Sequence, residues 1–395
     1  MAVQIVLAVL LLCLLAVLAV DGIPLALKWL SRIHIGRYPD RGIWNRQIVA
    51  VGRQWLRRTP SIPVTDQTRL IALDMLRGRY SKASIQHWQE AALILGLIEQ
   101  MENVPSAEDA LAVETRLAAY FRPDGGWREA PKLVDGAILA YALMKAPSFD
   151  AGKYRQAMDG VWEMIQNHLG EDGTVKYRNG MPDYRYVDTI GFICPFLVRY
   201  GLLYGRPECL ELAVRQITEF ERRGMLADSP VPFHAYSVKE GHLLGLQGWG
   251  RGIAWYAIGL MDAWKELPGD HPGKERLQQA ILHVVPAVLK LQGSGGQWNW
   301  SATRPEARAD SSATAVLSWF LLEASAIDSI AAECRAAAEA AAGYLMKVTR
   351  RSGVVDFSQG DTKDIGVYSV LFERLPFTQG FSIRLSARLA RRTSS

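Results

Sequence analysis

One turn recurs along this chain and constrains its architecture more than any other feature. A helix-forming stretch ends, a glycine-bearing turn follows, and an apolar or aromatic residue resumes in extended form. The pattern stands at Phe121-Arg-Pro-Asp-Gly-Gly-Trp127, Leu169-Gly-Glu-Asp-Gly-Thr-Val-Lys-Tyr177, Leu291-Gln-Gly-Ser-Gly-Gly-Gln-Trp298 and Arg350-Arg-Ser-Gly-Val-Val-Asp-Phe357. Gly125 and Gly173 are 48 residues apart and Gly296 and Gly353 are 57 apart, while the gap of 123 between Gly173 and Gly296 leaves room for one further unit. A period of about 50 to 60 residues marks a repeated helical hairpin.

The stretches between these turns carry apolar residues at helical spacing, with almost no alternation of the kind strands need. Thirteen helices are predicted: Gln47 to Arg57, Gln67 to Tyr80, Ser84 to Gln100, Ala107 to Tyr120, Gly136 to Met144, Tyr154 to Leu169, Thr189 to Tyr204, Cys209 to Arg222, Gly252 to Leu267, Lys274 to Leu291, Ser312 to Ala326, Ala331 to Val348 and Gln379 to Ala390. Several are apolar nearly all round, as a helix buried on every side must be. Six hairpins of about 55 residues fit the chain beyond residue 44. An all-α ring of six inner and six outer helices, an (α/α)6 toroid with one element left over, is therefore expected over residues 45–395, with no sheet to pack on; an open solenoid is the competing architecture.

The N-terminus reads differently. Val3 to Val20 contains a single polar residue, Gln4, and as a helix it spans about 27 Å, close to a bilayer's hydrocarbon core. No basic residue precedes it, which disfavours a cleaved signal peptide. Residues 1–22 are thus expected to anchor the chain in the cell (inner) membrane as a single pass, followed by a basic juxtamembrane segment at 23–44. Lys28, Arg32, Arg37, Arg41 and Arg46 follow the apolar run, so the positive-inside rule puts the large domain on the cytoplasmic face. The periplasmic, extracytoplasmic face is the alternative, with the basic residues belonging to the fold.

Composition excludes several function classes. Forty-five Lys and Arg against 40 Asp and Glu leave a net charge of +5, without the basic stripe that nucleic acid requires. Four widely spaced cysteines, Cys13, Cys194, Cys209 and Cys334, form no CxxC pair and no cluster with histidine. Neither a disulfide framework nor a metal site is expected.

Polar residues gather where each apolar helix begins, at Val134-Asp135-Gly136-Ala137, Val187-Asp188-Thr189-Ile190, Trp249-Gly250-Arg251-Gly252, Ala309-Asp310-Ser311-Ser312 and Phe377-Thr378-Gln379-Gly380. In a toroid these starts open onto one mouth. Asp310, followed by two serines, reads as a helix cap. Asp135 and Asp188 each precede a long uncharged run, where desolvation can raise a carboxyl pKa and suit a general acid. Arg251, between two glycines and two tryptophans, reads as a ligand-binding fork. Trp127, Trp249, Trp255, Trp298 and Trp300 lie near connector ends, and a mouth lined with indoles points to carbohydrate.

These residues carry a resemblance. Val-Asp-Gly-Ala at 134–137, Val-Asp-Thr-Ile-Gly-Phe at 187–192, Phe-His-Ala-Tyr at 233–236, Trp-Gly-Arg-Gly-Ile-Ala-Trp at 249–255 and Gln379-Gly380 make the chain, from about Gln67 to Leu389, resemble the unsaturated uronyl hydrolases, the unsaturated rhamnogalacturonyl and glucuronyl hydrolases of (α/α)6 fold. The resemblance implies a glycoside hydrolase acting on acidic oligosaccharides or polysaccharides that end in an unsaturated uronic acid, without metal or organic cofactor. It implies Asp188 as the general acid/base that protonates the C4=C5 double bond and Asp135 as the second carboxylate. His234, Trp249, Arg251, Trp255 and Gln379 are implied as substrate-binding residues. The family usually carries Asn or Gln where this chain has Ile253, which removes a hydrogen-bond donor. That departure, with the anchor, motivates an alternative: a divergent or non-catalytic toroid serving envelope, capsular or exopolysaccharide biosynthesis. A sugar epimerase, which needs a histidine pair such as His234 and His242, ranks last.

Overall fold

The structure, a computed structural model, describes residues 1–64, 70–83 and 86–393. At the N-terminus α1 (Ala2–Val17) runs through a π-helical turn at Leu18–Gly22 into α2 (Ile23–Arg32). The continuous Ala2–Arg32 helix is long and apolar enough to cross a membrane, and none of the residues of α1 is buried. Helix α3 (Arg41–Arg57) opens the ring; an excursion carrying β1 (Ile62–Val64), α4 (Ile71–Leu76) and β2 (Ser81–Ala83) leads to α5 (His87–Met101). The chain continues through α6 (Ala107–Tyr120), α7 (Gly136–Met144), α8 (Arg155–Asn167), α9 (Asp188–Tyr204) and α10 (Pro207–Arg223). It ends with α11 (Gly250–Glu266), α12 (Pro272–Lys290), α13 (Ser311–Ala324), α14 (Ala331–Lys347) and α15 (Pro376–Thr393).

Helices α5, α7, α9, α11, α13 and α15 pack side by side in that order, and α15 returns onto α5, closing an inner ring. Helices α3, α6, α8, α10, α12 and α14 lie outside it. This is the (α/α)6 toroid. All nine residues of α7 are buried, as an inner helix flanked on every side demands, whereas the outer α10 buries only one stripe, including Cys209, Ala213, Ile217 and Phe220. Closure of the ring brings the first and last inner helices close: a Cβ on Gly380 would lie 2.2 Å from the Ala92 carbonyl oxygen.

The recurring turn has one geometry in four connectors. Gly125, Gly173, Gly296 and Gly353 have φ of +87°, +73°, +88° and +86°, a region that costs other residues strain. Each donates its N–H to the carbonyl three residues back, on Arg122, Gly170, Gly293 and Arg350 respectively. A Cβ on Gly296 would meet the Ala340 carbonyl oxygen at 2.3 Å, and one on Gly353 would meet that of Gln47 at 2.5 Å. The turn after α14 therefore rests on α3, fastening the last unit to the first. The unit hidden in the long gap turns at Leu226 to Ser229, where the Ser229 N–H bonds to the Leu226 carbonyl without a glycine, which is why its period is invisible in sequence.

Two expectations are corrected. Of the predicted helix from Gln67 to Tyr80, residues 67–69 lie outside the described residues, and the remainder is helical only over Ile71–Leu76, ending at Gly78 with φ +66°. Residues 84 and 85, the predicted start of the next helix, also lie outside them. Short strands exist despite the missing alternation: β1 pairs with β2, β3 (Tyr184–Tyr186) with β4 (Ala235–Ser237) and β4 with β5 (Leu243–Leu244), and β6 (Ser358–Gln359) with β7 (Phe372–Glu373). They form because connectors at the mouth must satisfy their backbone groups among themselves.

The basic segment at 23–44 is tied to the toroid. The Arg32 guanidinium donates to Asp356 at 2.6 and 2.8 Å, Lys28 pairs with Glu373, the Gly36 N–H bonds to Thr349 O at 2.9 Å, and the Tyr38 hydroxyl donates to Arg350 O at 2.6 Å. Burial would raise the Asp356 carboxyl, but Arg32 and Arg350 hold it below its usual pKa.

Inside the ring, the fully buried Arg384 of α15 bonds to Glu99 of α5 at 2.7 Å and to Asp262 of α11 at 2.8 Å. Replacing Arg384→Met leaves two buried carboxylates without their partner and should cost about 3–5 kcal/mol in urea unfolding. Gly296→Ala forces a Cβ into the Ala340 carbonyl at a positive φ. We expect a loss of about 1–3 kcal/mol, while Gly180→Ala, with nothing within 4 Å of its Cβ, should be near neutral in the same assay.

Candidate active site

The inner-helix starts converge on a cavity of about 420 Å³ lined by residues that include Trp88, Asp135, Tyr177, Arg178, Asp188, His234, Trp249, Arg251, Trp255 and Asp361. Asp188 is the first residue of α9, and its side chain caps nothing. Its Oδ2 is buried without a hydrogen-bond partner, 3.5 Å from His234 Nε2. Such an atom, aimed into a cavity, is placed to meet a ligand or a reacting proton.

His234 is held by Tyr368, whose hydroxyl lies 3.2 Å from Nδ1. That hydroxyl already accepts the Leu246 N–H at 2.8 Å, so its own proton is available to Nδ1. With Nδ1 accepting that proton, the Nε2 N–H is the ring group that faces Asp188.

Asp135 sits at the cap position of α7, yet it too caps nothing through its side chain, and its Oδ1 is buried without a partner. Burial pushes its carboxyl above the usual range, His87 at 3.9 Å pulls it partly back, and Asp361 pushes it up again. Asp361 is likewise raised, first by burial, against the lowering influence of Arg251 and of the Gln86 amide that donates to its Oδ2 at 2.9 Å. Asp135, Asp188, Asp361 and Asp364 thus face one cavity, and the charge of Asp361 favours a proton on Asp135. Among the described residues, no group of three His, Cys, Asp or Glu side chains is placed to hold a metal ion.

The walls are aromatic. Trp255 packs between Phe192, Phe377 and Trp88 at centroid distances of 4.5, 5.0 and 5.5 Å. Trp249 packs against His234 at 4.7 Å and donates its indole N–H to Gln359 at 2.9 Å. Arg178 and Lys363 add positive charge at the lining.

Of the residues singled out by sequence, Asp135, Asp188, His234, Trp249, Arg251 and Trp255 come together here. Gln379 does not: it is fully buried beneath the last connector, where its amide accepts the Val355 N–H at 3.1 Å and donates to Ile48 O and Gly353 O at 2.9 and 3.0 Å. It closes the ring and does not line the cavity. Arg251 lines the cavity with its fork already engaged, by Gln359 O and Gly360 O at 2.5 Å each and Thr362 Oγ1 at 3.3 Å. Its flanking glycines admit neighbouring protein rather than ligand, since a Cβ on Gly250 would lie 2.4 Å from Asn299 O. Trp127 and Trp298 are buried and donate to Ala157 O and Val288 O of outer helices, so they are repeat packing; Trp300 lies beside Tyr368. Asp310 is the cap expected of it, accepting the Ser312 and Ala313 N–H groups. His242 is exposed beside Glu240, away from the cavity. Ile253 is buried in the core and does not line the cavity, so its lack of a donor removes nothing from the lining.

The sequence reading missed Trp88, Tyr177, Arg178, Asp361 and Asp364. Trp88 had a signal, because Gln86-His87-Trp88 occupies at α5 the place that the polar clusters occupy at the other inner helices. Asp361 and Asp364 had none, since they ride on the excursion between β6 and β7.

Comparison with known proteins agrees with the fold. The sequence model of Glycosyl Hydrolase Family 88 matches residues 73–369. The unsaturated rhamnogalacturonyl hydrolase YesR of Bacillus subtilis is 24% identical over 179 residues, covering 44% of this chain and 46% of YesR; the chain spans about half the length of the curated relatives it matches. A possible glycoside hydrolase family 105 member from Salmonella enterica serovar Paratyphi A superposes with a TM-score of 0.75 at 18% identity, covering 90% of this chain and 96% of the other. The unsaturated glucuronyl hydrolase of Bacillus sp. GL1, described as responsible for glycosaminoglycan degradation, superposes with a TM-score of 0.63 at 17% identity, over 88% of this chain and 95% of the other.

The raised carboxyl of Asp135 has a consequence for stability. The folded state binds this proton more tightly than the unfolded chain does, so stability falls as pH rises from the usual carboxylate range through the folded pKa. Asp135→Asn abolishes that loss. The variant should gain stability relative to the parent as pH moves from acid to neutral, read from thermal unfolding across that range.

Proposed function

The chain belongs to glycosyl hydrolase family 88, and from that premise we propose that it is a hydrolase of acidic oligosaccharides bearing a terminal unsaturated uronic acid. The observation that carries this reading is the unpartnered Asp188 Oδ2, buried at the cavity wall with the His234 Nε2 beside it. In the reaction Asp188 delivers a proton to C4 of the C4=C5 double bond, and water adds at C5 as Asp188 takes the water proton back. The resulting hemiketal opens to a ketone at C5, breaking C5–O5 and leaving a hemiacetal at C1; that hemiacetal collapses to an aldehyde, breaking the bond to the neighbouring sugar, which leaves with the proton of the O5 hydroxyl. His234, steadied by Tyr368, orients the Asp188 carboxyl. Asp135, whose burial favours its protonated form, binds a sugar hydroxyl or the attacking water. Trp88, Trp249 and Trp255 offer apolar faces to the sugar ring, and Arg178 and Lys363 supply positive charge for the uronate.

On the same reading, residues 1–22 are a single membrane span, 23–44 a basic juxtamembrane segment and 45–395 the glycan-active domain, with Lys28 to Tyr38 fastening the helix to the toroid. The relatives' names give unsaturated rhamnogalacturonyl and glucuronyl groups as the substrates to try first.

The test follows loss of the ultraviolet absorbance of the double bond while the full chain acts on unsaturated oligosaccharides from pectin and glycosaminoglycans. Asp188→Asn should lower kcat about 10²–10⁴-fold, the range for a positioned general acid/base. Its melting temperature should stay near the parent's, because the lost oxygen caps no helix. A large fall in stability would instead mark Asp188 as structural, and a flat trace from the parent chain across the panel would defeat the reading.

A further inference from the structure

The toroid carries an apolar surface beside the foot of the N-terminal helix, and its attachment to that helix says what covers it. Asp21 is the first charged residue of the Ala2–Arg32 helix, and it lies in the π-helical turn. Its carboxylate accepts the backbone N–H groups of Ile71 and Ala72, the latter at 3.3 Å, so α4 hangs from the helix at that level. The nineteen residues before the aspartate's level, Ala2 to Val20, rise about 28 Å as a helix, matching a hydrocarbon core of about 30 Å. A group tied to Asp21 therefore stands where hydrocarbon gives way to headgroups.

What stands there is apolar and exposed. Leu70 and Leu76 are 53% and 84% exposed, and Leu73 and Met75 also face outward. A second apolar patch borders a cleft of about 180 Å³ between Ile62 and the β6–β7 excursion, where Val367 and Val370 are 50% and 59% exposed. The same excursion is bound to the helix through Lys28 and Glu373. Trp29, 66% exposed on the helix itself, has the residue type found at membrane–water interfaces, and the exposed Arg77 and Arg79 just after α4 suit anionic headgroups.

We infer that α4 and the tip of the β6–β7 excursion rest in the interfacial zone of the bilayer, so that the toroid docks on the membrane through a second contact besides its span. The inference rests on the reading of Ala2–Arg32 as a membrane helix. Because Asp361 and Lys363 line both the apolar cleft and the carboxylate cavity, docking sets the cavity mouth beside the headgroups. An amphipathic surface that buries leucine side chains at this boundary gains free energy in proportion to the apolar area withdrawn from water.

The experiment uses the full chain reconstituted in phosphatidylcholine–phosphatidylglycerol vesicles containing lipid spin-labelled near the headgroup end of the acyl chain. Cys13 is exposed on the span and the other three cysteines are buried, so the native thiol reports on the span, and Cys13→Ser supplies the background for probes elsewhere. A fluorophore at Leu76→Cys or Val370→Cys should be quenched several-fold more than one at Val104→Cys. Val104 is also exposed but follows the far end of α5. Quenching at 76 and 370 no greater than at 104, with Cys13 quenched, would overturn the docking surface while leaving the span intact. An unquenched Cys13 probe would overturn the span reading and the inference with it.

Discussion

The toroid depends on a charge held on its axis. Arg384, fully buried, reaches from the last inner helix to Glu99 on the first and Asp262 on the fourth, and its guanidinium lies 3.9 Å from the ring of Trp319 on the fifth. Four of the six inner helices thus meet at one cation. Burial would raise the Glu99 carboxyl, but Arg384, Lys265 and Arg388 bring it well below the usual range, so this carboxylate keeps its charge beside the guanidinium. An unpaired charge there would be prohibitive, and each partner therefore fixes the position of the others. Above this cluster lie Phe381, Phe377, Trp255 and Trp88, each ring touching the next. Trp255 and Trp88, at the end of that layer, line the cavity, so the packing that closes the ring continues into the wall of the site.

The connector from Asp356 to Glu373 binds the remaining parts together. Its first residue holds Arg32 of the N-terminal helix and Arg350; its middle is clamped by Arg251, with Asp310 accepting the Gln359 N–H at 2.9 Å; its tip presents Asp361 and Asp364 to the cavity. A long connector near a buried site carries backbone groups that water cannot serve, and buried side chains must serve them. This is why Arg251, whose sequence context suggests a ligand fork, spends its donors on carbonyls. The same bonds give the N-terminal helix a mechanical path to the site, through Arg32, Asp356 and the excursion that carries Asp361.

Much of the fold is legible in sequence because it repeats. The glycine turn, the all-round apolar helices and the polar residues at their starts each recur, and recurrence separates signal from chance. The residues at those starts, Asp135, Asp188, Trp249, Arg251 and Trp255, do line the cavity, because hairpins stacked around a ring bring equivalent positions to the same end. Gln379 fails that logic only by direction: at the start of α15 the amide turns back into the seam between the last connector and α3. Trp127 and Trp298 fail it because an indole N–H can serve a helix carbonyl as well as a sugar.

By itself, then, the sequence determined the number of hairpins, the inner and outer character of their helices, the apolar N-terminal helix and the end of the ring at which polar groups collect. These follow from periodicity and hydrophobic pattern, which are local properties of the chain. Only the tertiary structure decided which polar side chains face the cavity, which are consumed by backbone, and that Asp361 joins Asp135 and Asp188. The physical reason is that a polar residue's role depends on whether its hydrogen bonds are already taken. Partners far apart in the chain, such as Arg251 with Gln359 or Arg32 with Asp356, meet only when the ring has closed.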